Sequence, residues 1–287
     1  MLKSKMILTV VVCLGLLAGT GYAIVTPGAV LEFNAANNPG EAGGQFTNQG
    51  SNPTAALPAF NAYAAYSGLP PVAVADGPGP LLNRSYDNVD VNGDPTCWAG
   101  PLSDLALSQI SFEWWIKPRA WAGGEGYLGA LMNEGWAQYV DWPTVHAGAP
   151  DTISPQPGGG GGGAYATDLV GPVPVDVWTH VVVTFDDGTD LLNAYMGGVP
   201  VATDQPLGAD VTFGSVFNWL GIGASAYGPA SAQAAGARFD GQIALLRIYD
   251  AVLTEGEVID NMNSVIPEPA TLCLLGLGGL ALLRRRR

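Results

Sequence analysis

Clear alternation of apolar and polar positions begins at "ISFEWWIKP". Ile110, Phe112, Trp114 and Ile116 fall on one side, and Ser111, Glu113 and Trp115 on the other. A period of two is the pattern of a strand lying on a hydrophobic core. "GYLGALMNEG", "DVWTHVVVTFDD", "SVFNWLGIGA" and "RFDGQIALLRIYDAVL" read as further strands, and "DGTDLLNAYMGGVPVATD" as strand, turn at Gly197-Gly198, strand. Upstream, from Ile24 to about Pro80, the pattern is weak, with a first strand expected at Ala29 to Phe33. Residues 141–175 read as a long Pro/Gly loop carrying His146. One helix is predicted at "TEGEVIDNMNS". Thr254 is its N-cap, Glu257 the reciprocal partner of a capping box, and Val258, Ile259 and Met262 face the body. Many strands, one short helix and long loops predict an all-β antiparallel sandwich.

Both ends of the chain depart from this pattern. Lys3 and Lys5, an apolar stretch from Met6 to Ala18, and the small-x-small Gly21-Tyr22-Ala23 form the grammar of a secretory signal peptide, cut after Ala23 by signal peptidase. At the other end, Ala270 to Leu283 is a 14-residue apolar run. As a helix it would be roughly 21 Å long against a hydrocarbon core of about 30 Å, a short membrane span. Arg284, Arg285, Arg286 and Arg287 follow it, suited to snorkel to cytoplasmic headgroups and to hold the C-terminus inside. The expected organisation is a signal peptide at 1–23, a folded domain at 24–264 and a sorting segment at 265–287 with its membrane span at 270–283.

Removing both ends changes the charge picture. The whole chain has 11 basic and 25 acidic residues, but only five basic residues and 24 acids lie within residues 24–266. A net charge near −19 argues against nucleic acid as a partner and favours cations, calcium above all. Cys97 is the one cysteine of that region, so no internal disulfide forms and a core must supply the stability. Gly158 to Gly163 lack a following Lys-Ser/Thr and make a flexible loop, not a phosphate cradle.

Two resemblances follow from these residues. Pro267-Glu268-Pro269, the apolar run and the terminal arginines resemble the PEP-CTERM sorting signal of bacterial envelopes. That resemblance implies processing near the Pro-Glu-Pro by an exosortase-type membrane peptidase, and delivery to the cell surface or an exopolysaccharide matrix. "SFEWWIKP", "WTHVVVTFDDG" running into "NAYMGGVPV", and "FDGQIALLRIYDAVLTEGEVIDNM" resemble the laminin-G-like, concanavalin A-like jelly roll. It covers residues 105–263 and implies a two-sheet sandwich closed by a strand and a short helix. Residues 24–104 and the loop 141–175 depart from that pattern.

Candidate chemistry is sparse. His180 lies among β-branched residues and reads as a packed or hydrogen-bonded strand histidine; with His146 it forms no zinc frame. In "YDNVDVNGDP", Asp90, Asn92 and Asp94 offer alternate oxygen ligands for calcium, with Gly93 to bend the backbone, although the same residues also suit a solvated Asx turn. "FDDGTD", with Asp186, Asp187 and Asp190, reads as a hairpin connection. Glycosidases need paired carboxyls, and the E-x-D-x-x-E frame of jelly-roll glucanases is missing; Glu113 stands alone in its strand. Trp121, Trp136, Tyr139 and Trp142 fall in Gly-rich stretches, where they would either stack on sugar rings or cover the core. The expected function is carbohydrate binding or adhesion, with an extracellular polysaccharide or surface glycoprotein as partner. A structural matrix role and a divergent polysaccharide-cleaving activity remain the alternatives.

Overall fold

The computed structural model describes residues 28–38, 45–52, 56–61, 71–88, 96–107, 109–119, 126–132, 144–148, 152–156, 173–186, 188–206, 216–223 and 239–265. In chain order the strands are β1 (Leu31–Asn34), β2 (Gln45–Thr47), β3 (Ala56–Asn61), β4 (Val72–Val74), β5 (Ser85–Asp87), β6 (Thr96–Ala106), β7 (Gln109–Pro118) and β8 (Gly126–Met132). They continue with β9 (Thr144–Gly148), β10 (Thr152–Gln156), β11 (Thr179–Asp186), β12 (Leu191–Met196), β13 (Val199–Pro206), β14 (Val216–Ile222) and β15 (Gly241–Tyr249), and helix α1 (Glu255–Val265) follows.

The strands form two antiparallel sheets. One runs β13-β12-β11-β7-β15-β5-β4, with β1 also paired to β15; the other runs β10-β9-β8-β14-β6-β3-β2. Alternation decides which side chains meet between them. Ile110, Phe112, Trp114 and Ile116 of β7 pack inward with Val181, Val183 and Phe185 of β11 and Ile243, Leu246 and Ile248 of β15. Trp98, Leu102 and Leu105 of β6 and Leu220 and Ile222 of β14 close the core from the other side. Phe112 stacks on Trp114 with ring centroids 5.0 Å apart, and Phe46 packs edge-on against Tyr86 at 4.9 Å.

The outward face of the first sheet is covered as well. Ser111 Oγ donates to the Ala251 carbonyl at 2.6 Å and accepts from the Leu253 amide at 3.0 Å, turning the chain back over the sheet. Helix α1 then runs antiparallel to β15. Val258 packs with Val182, Tyr195 and Tyr249, and Val265 with Trp115, Ala244 and Leu245. The capping box forms as the spacing predicts: the Thr254 amide donates to Glu257 Oε2 at 2.8 Å, and the Glu257 amide to Thr254 Oγ1 at 3.3 Å.

Three expectations need correction. Residues 141–175 hold a strand hairpin, β9 with β10, so His146 lies in a strand and not in a loop. The weakly patterned stretch before Pro80 contributes β2 to β4 besides the expected first strand β1, which lies beside β15 because Leu31 and Phe33 reach the core. On α1 it is Asn261, 2% exposed, that faces the sheet, whereas Ile259 is 36% exposed. The reason is a polar partner on the sheet, described below.

Thr254→Ala removes both capping bonds of its side chain, to the Glu257 carboxylate and from the Glu257 amide, and leaves the helix docked. It should lower stability by about 1 kcal/mol, read as a shift of the urea midpoint with an unchanged slope.

Candidate functional site

A row of charged and polar side chains crosses the outward face of the first sheet beneath α1. Strand pairing sets Glu32 of β1 opposite Arg247 of β15, and Arg247 opposite Glu113 of β7. A register shift between Ile243 and Leu245 keeps the row in phase. Without that bulge the remainder of β15 would present Leu246 and Ile248 to the helix, since a one-residue slip exchanges the faces.

Glu113 is the centre of the row. Its Oε1 accepts from His180 Nε2 at 3.0 Å and from an Arg247 guanidinium nitrogen at 3.5 Å. Its Oε2 accepts from the Tyr249 hydroxyl and from Asn261 Nδ2 at 3.1 Å. Arg247 Nε reaches Glu32 Oε2 at 3.3 Å, and Asn261 Nδ2 also donates to the Tyr249 hydroxyl at 3.0 Å. Four donors meet a group with about four lone-pair positions, so the carboxylate is saturated. Desolvation alone would raise its pKa. The Arg247 charge, followed by the His180 bond and the Tyr249 bond, outweighs it and holds Glu113 down at about 2. Burial and the Glu113 charge push the Tyr249 hydroxyl up.

A Glu–His pair on one sheet invites comparison with acid–base catalysis, but this one is closed. The Glu113 and His180 side chains are both 0% exposed. A general acid or base must come within about 2.6–3.2 Å of a substrate proton, and neither group can. Since ionised Glu113 only accepts, His180 Nε2 carries the proton and Nδ1 is left buried without a partner, its ring 5.1 Å from that of Trp115. The arrangement is a fastener joining β1, β15, β7, β11 and α1.

The binding candidates fall elsewhere. Asp90, Asn92 and Asp94, Trp121, and Trp136, Tyr139 and Trp142 lie outside the described residues, as do Ala23, Pro267 to Pro269 and Arg284 to Arg287. The strand ends that flank some of them are described. The amide of Thr96 donates to the Asn88 carbonyl at 2.9 Å and closes the neck of residues 89–95. The Asn88 amide nitrogen bonds the Gly241 carbonyl, and that of Arg119, just before Trp121, bonds the Asp240 carbonyl. The mouths of segments 89–95, 120–125 and 224–238 therefore meet at one end of the sandwich, where Arg119 pairs with Asp87 and Asp240. Residues 133–143, with Trp136, follow the far end of β8. Asp186 accepts from the Gly188 amide at 2.9 Å and Thr189 Oγ1 at 2.8 Å, the hairpin connection expected of "FDDGTD". Among the described residues no three His, Cys, Asp or Glu side chains gather as a metal site, and no helix is long and apolar enough to cross a membrane.

Residues 90–259, more than half of the chain, match the family described as the concanavalin A-like lectin/glucanases superfamily. The chain belongs to that superfamily. Residues 265–287 match the PEP-CTERM protein-sorting motif, which marks this superfamily member as an exosortase-sorted cell-surface protein. No curated protein matches its sequence. Among solved structures it is similar to domain 4 of AbnA, a GH43 extracellular arabinanase from Geobacillus stearothermophilus, in complex with arabinotriose. Identity is 16% over 82% of this chain and 98% of that one, with a TM-score of 0.50. A Trypanosoma rangeli sialidase mutant displaying trans-sialidase activity is 16% identical over 86% of this chain and 35% of that one, at a TM-score of 0.51. Both likenesses are likenesses of fold. In this superfamily member the polar row under α1 escaped the sequence reading because its bonded partners lie up to 215 residues apart. The one local signal was a Glu at an outward position of β7 and an Asn on the inward stripe of the helix.

Glu113→Gln should destabilise the fold by about 3–5 kcal/mol at neutral pH, because Arg247 keeps its burial and loses half its counter-charge. The folded pKa lies below the ordinary 4.5, so this contribution is complete above pH 4.5 and is lost as pH falls towards about 2. Urea titrations from pH 7 to pH 2 should show that acid limb in the parent and a flatter one in the variant.

Proposed function

We propose that this protein is a surface-delivered carbohydrate-binding or adhesion module of the bacterial envelope or its exopolysaccharide matrix. The signal peptide exports it, the apolar tail anchors it transiently, and exosortase-type processing releases residues 24–264 as the working domain. The observation that carries the reading is the superfamily sandwich in which the buried Glu113–His180 pair is spent on holding the fold. What the domain offers a partner is then its loops and not the face under α1. The arabinotriose in the similar arabinanase domain makes arabino-oligosaccharides a reasonable first probe. Trp121 and, from other segments, Trp136, Tyr139 and Trp142 supply rings of the kind that stack on sugars.

Calcium belongs to the same proposal, held by Asp90, Asn92 and Asp94. Support comes from both necks of that segment. Asn88 and Thr96 are each 1% exposed, and Asn88 Oδ1 and Nδ2 and Thr96 Oγ1 are buried with no hydrogen-bond partner. Each such group costs about 1–3 kcal/mol if left unpaired, and oxygen donors at the base of an acidic segment suit a hard cation. Gly223, at φ +76°, makes room for the Asn88 amide, since a Cβ there would lie 1.9 Å from Nδ2.

Millimolar calcium should raise the melting temperature of the purified protein, and Asp90→Asn with Asp94→Asn should abolish the rise, because a ligand that binds the native state stabilises it. Saturable, chelator-sensitive signals on a glycan array support the binding role. Release of reducing sugar from the same glycans, lost on one carboxylate substitution, would replace it with the enzymatic reading.

A further inference from the structure

The chain leaves the fold for its sorting segment at a defined place. Val265 is 1% exposed, packed with Leu82, Trp115, Ala244 and Leu245 and bordered by Trp178 and Met262. Helix α1 runs from the Tyr249 end of β15 towards the end where Gly241 pairs with Pro118, so the tail leaves towards that end. Only Ile266, Pro267, Glu268 and Pro269 separate Val265 from the apolar run. Even fully extended, they allow no more than about 17 Å between the core and the first residue of the run.

Two properties of the surface point the same way. The six large hydrophobic side chains that are more than a third exposed among the described residues all border the helix or its exit. Leu81 adjoins the buried Leu82 and Val177 the half-buried Trp178; Val175 precedes Asp176, whose amide bonds the Pro118 carbonyl; Val199 follows Gly198, which faces Met262 and Ile259; and Val201 lies further along β13. Charge is polarised along the same axis. The five cations of residues 24–266 are Arg84, Lys117, Arg119, Arg238 and the buried Arg247. Lys117 and Arg119 close β7 at the exit end, paired with Asp76, Asp87 and Asp240. Arg84 sits on the turn that packs Leu82, and Arg238 lies outside the described residues. The opposite end carries Asp186, Asp190, Asp250, Glu255 and Glu257, with no cation among the described residues there. An anionic lipid surface repels that end more strongly than the exit end, where Lys117 and Arg119 offset part of the charge of Asp76, Asp87 and Asp240.

We infer that the exit end of the sandwich is a membrane-facing surface. Before processing, the domain rests on the lipid headgroups with Val175, Val177 and Val199 at the interface and its acidic end outward. The mouths of segments 89–95 and 120–125 lie on this same end, so they face the bilayer until the tail is cut. The inference rests on the reading that residues 270–283 enter the membrane.

The test uses the chain after signal-peptide removal and before tail processing, residues 24–287 with Cys273→Ser, in phosphatidylglycerol/phosphatidylethanolamine vesicles. Cys97 is buried and its thiol is pushed up to about 12 by desolvation, so it stays unlabelled. Single cysteines at Val177 and Asp190 carry a fluorophore quenched by headgroup-labelled lipid. Flotation with the vesicles reads the anchor, and quenching reads the orientation. Vesicle-bound protein quenched several-fold more at position 177 than at 190, with the difference reduced by Val177→Cys paired with Val199→Asp or by neutral phosphatidylcholine, supports the inference. Bound protein quenched equally at both positions overturns the orientation and leaves the anchor standing. Protein that does not float overturns the anchor and the orientation with it.

Discussion

The buried carboxylate of Glu113 is the constraint on which this fold turns. An ionised group without solvent contact must be matched on every side, and its matches come from four different elements: Arg247 and Tyr249 from β15, His180 from β11 and Asn261 from α1, with Glu32 of β1 balancing the arginine. The inner core is nonspecific by comparison, since many apolar side chains of similar volume would fill it. The polar row accepts one register of four strands and one placement of the helix. Hydrophobic burial makes the sandwich stable; the carboxylate selects which sandwich, and it closes the one face that could otherwise have resembled an active site.

Local pattern revealed the parts of the molecule that are made locally. β7, β11, β12, β13, β14, β15 and the capping box of α1 were legible because period-two alternation, a Gly-Gly turn and Thr254/Glu257 are short-range signals. A first strand was legible at Ala29 to Phe33, where β1 forms, but β2 to β4 were not, since those strands are short and owe their place to partners elsewhere in the chain, as Phe60 does to Cys97. The hairpin of β9 and β10 was hidden by its prolines and glycines. Asn261 was the sharpest omission: on an amphipathic helix it counts as polar and therefore outward, until Glu113 is known to lie beneath it.

For function the useful distinction is between the face under α1 and the ends of the sandwich. That face is covered by α1 and filled by a network closed to solvent. One end gathers the necks of the acidic and Trp121-bearing segments, the unpaired side chains of Asn88 and Thr96, and the exit of the sorting tail. The other is uniformly acidic. In the proposed function, sorting and recognition share the first of these ends, and processing of the tail makes it available.

All of this depends on α1 being locked to the sheet by the Glu113 row and not merely resting on an apolar surface. Native-state amide hydrogen exchange measures that directly. If the lock holds, the amides of Val258 to Val265 exchange with the same opening free energy as those of β7 and β15, as one cooperative unit. Helix amides that exchange by an independent, far cheaper opening while the sheet stays protected would contradict it.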